Sequence, residues 1–175
     1  MQSVKVVVTG PFNAGKTTLI KAVSEITVLS TERQVSDSLG EGGGETTVAM
    51  DFGRITVSDD IVLYLFGTPG QARFSFMWDT LSEGMLGFVL LVDANAHETM
   101  TDAREMIDFF TERSDVPFVV AANKVDPDDA ETLRQVRADL SLADEVPLLP
   151  VDARERESVK GVLLGLLYEI LESMG

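Results

Sequence analysis

The segment Gly10-Pro11-Phe12-Asn13-Ala14-Gly15-Lys16-Thr17 has the spacing GxxxxGK[ST], a pattern suited to holding a chain of phosphates. Glycines let such a loop curl until successive backbone N–H groups, here those of Asn13, Ala14, Gly15 and Lys16, point inward at phosphate oxygens. A helix starting directly afterwards adds the positive end of its dipole to the same place. The Lys16 ammonium is then expected on the β- and γ-phosphates and the Thr17 hydroxyl on Mg²⁺, with Thr18 touching the α-phosphate.

That chemistry needs a buried strand before the loop and a helix behind it, and the sequence supplies both. Val4–Thr9 reads VKVVVT, a β-branched run of the kind found inside parallel sheets. Lys16–Ser24 places Leu19, Ile20 and Val23 at helical spacing. Residues 27–46 are polar and end in a glycine cluster at 40–44, which reads as a mobile loop. Thr47–Val57 and Ile61–Phe66 alternate around Ser58-Asp59-Asp60 and read as a hairpin. Strands are expected at Leu86–Asp93, at Phe118–Asn123 after Pro117, and at Val146–Val151. Helices are expected at Glu98–Arg113, Ala130–Leu140 and Ser158–Met174. Strand and helix alternate after one hairpin, so the expected fold is α/β: a six-stranded, mostly parallel sheet with one antiparallel edge strand and about five helices, in one domain spanning 1–175.

The phosphate loop does not choose a base. Asn123-Lys124-Val125-Asp126 lies at the carboxyl end of the FVVAA strand, where open parallel sheets bind ligands, and it resembles the NKxD motif of small GTPases. The resemblance implies that Asp126 accepts from the guanine N1–H and exocyclic amine, which adenine does not offer. Lys124 would lie along the base plane, and Asn123 would tie this loop to the phosphate loop. Asp152-Ala153-Arg154 follows the last strand, where the family has its Ser-Ala-Lys turn. There the Ala153 N–H would meet the guanine O6 and Arg154 would pack over the base; the alternative is an ordinary turn.

With both ends of a guanine nucleotide placed, the chain resembles Ras-superfamily small P-loop GTPases, a three-layer P-loop NTPase fold, along essentially its whole length. Within that resemblance Thr47 is the switch threonine that closes on Mg²⁺ and the γ-phosphate, with Thr46 as the alternative. Leu65-Phe66-Gly67-Thr68-Pro69-Gly70-Gln71-Ala72-Arg73-Phe74 resembles the family's second switch, DTAGQERF. Gly70 would give its N–H to the γ-phosphate, and Gln71 would orient the attacking water. Catalysis would thus fall to Gln71, Thr47 and Lys16, and the metal to Thr17 and Thr47.

Two positions depart from the family. Gly67 stands where the family has an aspartate that holds magnesium through water, with Asp51 or Asp93 as possible substitutes. Phe12 replaces a glycine and obstructs an arginine finger entering in trans, which implies slow hydrolysis or a differently approaching activator. Arg54 and Arg73 are better explained as surface salt-bridge residues than as fingers in cis. The T-P-G-Q switch without its aspartate is similar to bacterial small GTPases of the gliding-motility polarity switch type and to actinobacterial GTPases paired with Roadblock/LC7 proteins. That similarity implies a cytosolic switch whose activator or exchange factor is a Roadblock/LC7 dimer. The apolar run Phe76-Met77-Trp78 is either a partner surface beside the switch or buried against the sheet.

Composition narrows the other classes. Twenty-nine acidic against 14 basic residues give a net charge of −15, which argues against a nucleic-acid backbone or an anionic membrane as main partner. The chain has no cysteine, so disulfides, thiolate metal sites and cysteine nucleophiles are out. The one histidine, His97, lacks companions and is expected as a solvated loop or cap residue. No apolar run reaches the roughly 18 residues that cross a bilayer. MQSVKVVV reads as a cytosolic start, and EILESMG carries no prenylation box. The expected activity is GTP hydrolysis, slow without a partner. The alternatives are a pseudo-GTPase that binds without turnover and an ATP-using P-loop kinase, for which no lid arginines are found.

Overall fold

Val7 and Val8 are both fully buried, because β1 (Gln2–Thr9) runs through the middle of a sheet covered on both faces. The computed structural model describes residues 1–36, 45–70 and 75–175, with the backbone alone for 29–36 and 45–49. In chain order the other elements are α1 (Lys16–Val23), β2 (Leu29–Ser36), β3 (Glu45–Ser58), β4 (Ile61–Gly67), α2 (Ser75–Ser82), β5 (Gly87–Asp93), α3 (Met100–Arg113), β6 (Phe118–Asn123), α4 (Ala130–Asp139), β7 (Leu148–Val151) and α5 (Arg156–Met174). The strands form one sheet in the order β2-β3-β4-β1-β5-β6-β7.

Side-chain alternation divides the interior into two layers. Val6 and Val8 of β1, with Val89 and Leu91 of β5, pack with Leu19, Ile20 and Val23 of α1 and with Val159, Leu163 and Leu166 of α5. Val7, Phe88, Leu90 and Val92 face the other way, against Trp78 of α2, Met106 and Phe110 of α3 and Val136 of α4. Strands buried on both faces lose the polar alternation of a half-exposed sheet, so LGFVLLVD is nearly all apolar. The sandwich is the expected P-loop NTPase fold.

The six expected strands are present, and a seventh is added. Leu29–Ser36, read from its polarity as loop, is β2 and pairs antiparallel with β3, Leu29 opposite Phe52 and Ser36 opposite Glu45. A strand at a sheet edge can carry polar residues on its solvent side, which is why polarity misled. β3 therefore remains the one reversed strand, but it is interior rather than the edge. The glycine cluster at 40–44 lies outside the described residues. The bounds of α3 and α5 shift by two residues from expectation, and a short 3₁₀ turn, His97–Thr99, precedes α3. Among the described residues no helix is long and apolar enough to cross a membrane.

Candidate functional site

The carboxyl ends of β1, β4, β5, β6 and β7 bring Gly10, Gly67, Asp93, Asn123 and Asp152 to one edge of the sheet. The turn after β1 is tight enough that a Cβ on Gly10, at φ +153°, would lie 2.1 Å from the Leu91 carbonyl oxygen, so only glycine fits. Asn13 adopts a left-handed φ of 67°, which asparagine tolerates better than most residues. The loop then enters α1 at Lys16. The Lys16 Nζ donates to the carbonyls of Gly10 at 2.6 Å and Pro11 at 2.8 Å. Burial lowers its pKa to about 8, against an opposing pull from the Asp51 carboxylate.

Asn123 fastens this loop to the two behind it. Its Nδ2 donates to the Ala14 carbonyl at 3.1 Å, and its Oδ1 accepts from the N–H groups of Lys124 at 3.0 Å and Ala153 at 3.2 Å. The side chain is buried, where such bonds are worth most. Lys124 turns the chain at φ 63°; its Nζ lies 3.1 Å from Asp93 Oδ2, and its carbonyl accepts from Asn95 Nδ2 at 2.8 Å. Asp126 is exposed, with Oδ1 accepting from the Asp128 N–H at 2.9 Å. Arg154 forms a two-pronged pair with Asp152, 3.0 Å to each oxygen.

The reversed strand supplies the other side. Asp51, in the middle of β3, pairs across with Gly67 at the end of β4. The Thr17 hydroxyl donates to Asp51 Oδ2 at 2.5 Å. A Cβ placed on Gly67 would come within 3.6 Å of that same oxygen. The carboxylate absent from position 67 is thus matched by one reaching in from the neighbouring strand. Asp93, the other candidate, is committed to Lys124 and the Asn95 N–H. Gly70 lies so close to the phosphate loop that a Cβ there would be 2.6 Å from the Phe12 nitrogen and 2.8 Å from Lys16 Nζ.

The chain matches, over residues 28–173, the protein family described as "Conserved hypothetical ATP binding protein". It belongs to that family. An uncharacterised protein of Methanocaldococcus jannaschii is 35% identical over 131 residues, covering 74% of this chain and 75% of that one. ADP-ribosylation factor-like protein 8c of Arabidopsis thaliana is 26% identical over 157 residues, 88% of this chain and 75% of its own. Circularly permutated Ras protein 1 of Dictyostelium discoideum is 22% identical over 148 residues, 82% of this chain but 17% of that longer protein. Similarity to Ras- and Arf-named proteins supports the Ras-like superfamily, as the motifs implied.

Not every expected residue of this ATP-binding-protein family member joins the site. Thr47 falls in β3 opposite Gln34, four residues from Asp51 and so about 13 Å along the strand. Its side chain, like that of Thr46, lies outside the described residues, as do Gln71 and Arg73. Thr68 is a packing residue: buried, with its hydroxyl on Thr9 Oγ1 at 2.9 Å. Phe76-Met77-Trp78 divides, Phe76 exposed and Trp78 buried with Nε1 donating to the Pro69 carbonyl at 2.8 Å. Arg54 pairs with Glu25 at 3.0 Å on the surface, and exposed His97 meets Asp139 at 3.3 Å, both as expected. Asp51 was legible only as one of two candidates; the hairpin register of Asp51 on Gly67 is the signal that separates them.

Proposed function

We propose that this chain is a guanine-nucleotide-binding molecular switch that hydrolyses GTP to GDP and phosphate, slowly unless a partner assists. The observation that carries the reading is Asn123, whose three hydrogen bonds hold the phosphate loop, the 123–126 turn and the 152–154 turn as one unit. A nucleotide needs its phosphate and base sites at fixed separation, and this side chain fixes it. Asp126 is the group that would prefer guanine over adenine, although the family's description speaks of ATP. One small-GTPase domain over 1–175 and a cytoplasmic location complete the proposal.

Magnesium fits the donor set at the switch side. Thr17 and Asp51 offer a hydroxyl and a carboxylate oxygen 2.5 Å apart, hard oxygen donors of the kind this ion takes alongside phosphate. Thr47 would join them only if its stretch of β3 moved. Bound there, the ion would neutralise charge on the β- and γ-phosphates. Lys16 would leave its loop carbonyls for the phosphates, and Gln71 would orient the water. A Roadblock/LC7-type regulator is the partner we propose, from the sequence similarity to the bacterial polarity-switch GTPases.

Phe12 favours a second reading, a nucleotide-binding module without turnover, because this residue is 60% exposed in the phosphate loop. Calorimetry with GDP, a GTP analogue and ATP, each with and without magnesium, tests binding. Preference for adenine nucleotide would overturn the guanine reading. Single-turnover phosphate release then separates switch from module, the latter giving none above background with any Roadblock protein.

A further inference from the structure

The turn that follows β5 holds the 123–126 motif a second time. Asp93 pairs with Asn123 in the register of β5 on β6, and the Ala94 N–H donates to the Asn123 carbonyl at 3.0 Å. Asn95 then turns back. Its N–H donates to Asp93 Oδ1 at 2.9 Å and its Nδ2 to the Lys124 carbonyl at 2.8 Å. Asp93 Oδ2 takes the Lys124 Nζ at 3.1 Å. Lys124 is thus fixed at both ends, its carbonyl by Asn95 and its ammonium by Asp93. It sits at φ 63°, in the left-handed region that a side chain like lysine rarely adopts, and such a conformation persists where the surroundings over-determine it.

As a source of stability this ion pair counts for little, since the Lys124 side chain is 56% exposed and exposed pairs contribute almost nothing. What it removes is freedom. A lysine loose in water has a flexible four-carbon stem, and freezing that stem when a ligand arrives costs affinity. We propose that Asp93 and Asn95 are positioning residues for the purine base: they hold Lys124 so that its methylene stem is laid out as one wall of the base site before the nucleotide arrives. The proposal rests on the guanine-nucleotide reading above, and adds to it a loop, 93–95, that lies outside the phosphate and base motifs. Lysine stems cover apolar surface while the charged head stays in water. A stem tethered through its ammonium to Asp93 is suited to a purine face in that way. The tether acts on the base, so it is blind to the number of phosphates.

Calorimetry on the full chain with GDP, a GTP analogue and pyrophosphate tests this. Asp93→Asn keeps an oxygen for the Asn95 N–H and removes the charge that holds Lys124. The expected result is that affinity for both guanine nucleotides falls equally, by about three- to tenfold. Pyrophosphate, which has no base, binds as before, and the Tm stays within about 2 °C of the wild type. Raising NaCl from about 0.05 to 1 M closes the gap between wild type and variant, because an exposed pair is screened; a packing defect would not respond to salt. Asn95→Ala, at an exposed position, frees the Lys124 carbonyl and lowers guanine-nucleotide affinity in the same base-dependent way. Variants that bind guanine nucleotide as the wild type does, that lose pyrophosphate in the same proportion, or, for Asp93→Asn, that show a gap indifferent to salt, overturn the proposal. A wild-type chain that binds pyrophosphate but no guanine nucleotide overturns the guanine reading, and this inference with it.

Discussion

At the ends of β6 and β7 the candidate site is made of consecutive residues, 123–126 and 152–154, whereas at β3 and β4 it is made of residues that meet only through strand pairing, Asp51 and Gly67. The first region is tied down by a buried asparagine that bonds to both turns and to the phosphate loop. The second carries the hydroxyl–carboxylate contact of Thr17 with Asp51. Parallel strands deliver their ends to the same edge, so each ligand group follows its strand in sequence. A reversed strand passes that edge in mid-course. A group on it can replace one on its neighbour without leaving any trace in a linear motif.

The sharpest way to break the comparison is Asn123→Ala. The substitution leaves the Ala153 N–H and the Ala14 carbonyl without their partner, costing about 2–4 kcal/mol. For a chain of this size that is a fall in Tm of about 5–15 °C, read by thermal denaturation. An unchanged Tm would mean that the base and phosphate loops are held independently. Asp126→Asn acts on the same region without that structural cost, because Asp126 is exposed. We expect guanine affinity to fall about 10–100-fold, the worth of charge-assisted hydrogen bonds, with xanthine gaining in its place. Calorimetry with both nucleotides reads the exchange.

The reversed-strand region predicts a smaller and different loss. Asp51→Ala should reduce the magnesium-dependent part of nucleotide affinity by about tenfold, one charged oxygen's contribution, and leave base preference alone. Adding Gly67→Asp returns a carboxylate to the family position. Its Cβ would meet the flexible end of Ile20 at 3.0 Å and lie at an ordinary contact distance of 3.4 Å from the Cβ of residue 51, which alanine keeps. Recovery of magnesium dependence in the double variant, measured by titrating the metal against bound nucleotide, would show that the two positions serve one site. If Asp51→Ala leaves magnesium dependence intact, the carboxylate is structural.

Legibility divides along the same line. The strands on either side of β1, their order in sequence and the phosphate loop were readable because apolar runs and short motifs are local properties. The β2 strand was not, because its polar residues satisfy an edge as well as they satisfy a loop. Asp51 was readable as a candidate only, since deciding between it and Asp93 needs the register of β3 on β4 and the competing pull of Lys124 on Asp93. The fate of Arg154 was also hidden. The acid it pairs with is two residues back in the same turn, and a sequence does not say whether such a pair closes.

Lys16 sits in the loop that Asn123 ties to the first region and feels the Asp51 charge of the second, so it reports on their coupling, with the smallest effect of the set. Its pKa is lowered to about 8 by burial, partly offset by Asp51, against the ordinary 10.5 that it would regain in the unfolded chain. The unfolded chain therefore binds more protons between about pH 8 and 10.5, and stability of the free protein should rise with pH through that window. Phosphates beside the ammonium raise its pKa again, so nucleotide binding should take up a proton over the same range. Affinity should then fall as pH climbs above about 8, by at most about tenfold per unit. Calorimetry at pH 9 in two buffers of different ionisation enthalpy measures the uptake directly. Asp51→Ala removes the charge that holds the pKa up, so it should move the onset of uptake to lower pH. An onset that stays in place would mean that the reversed strand's carboxylate does not act on the phosphate loop, and the two regions would be independent after all.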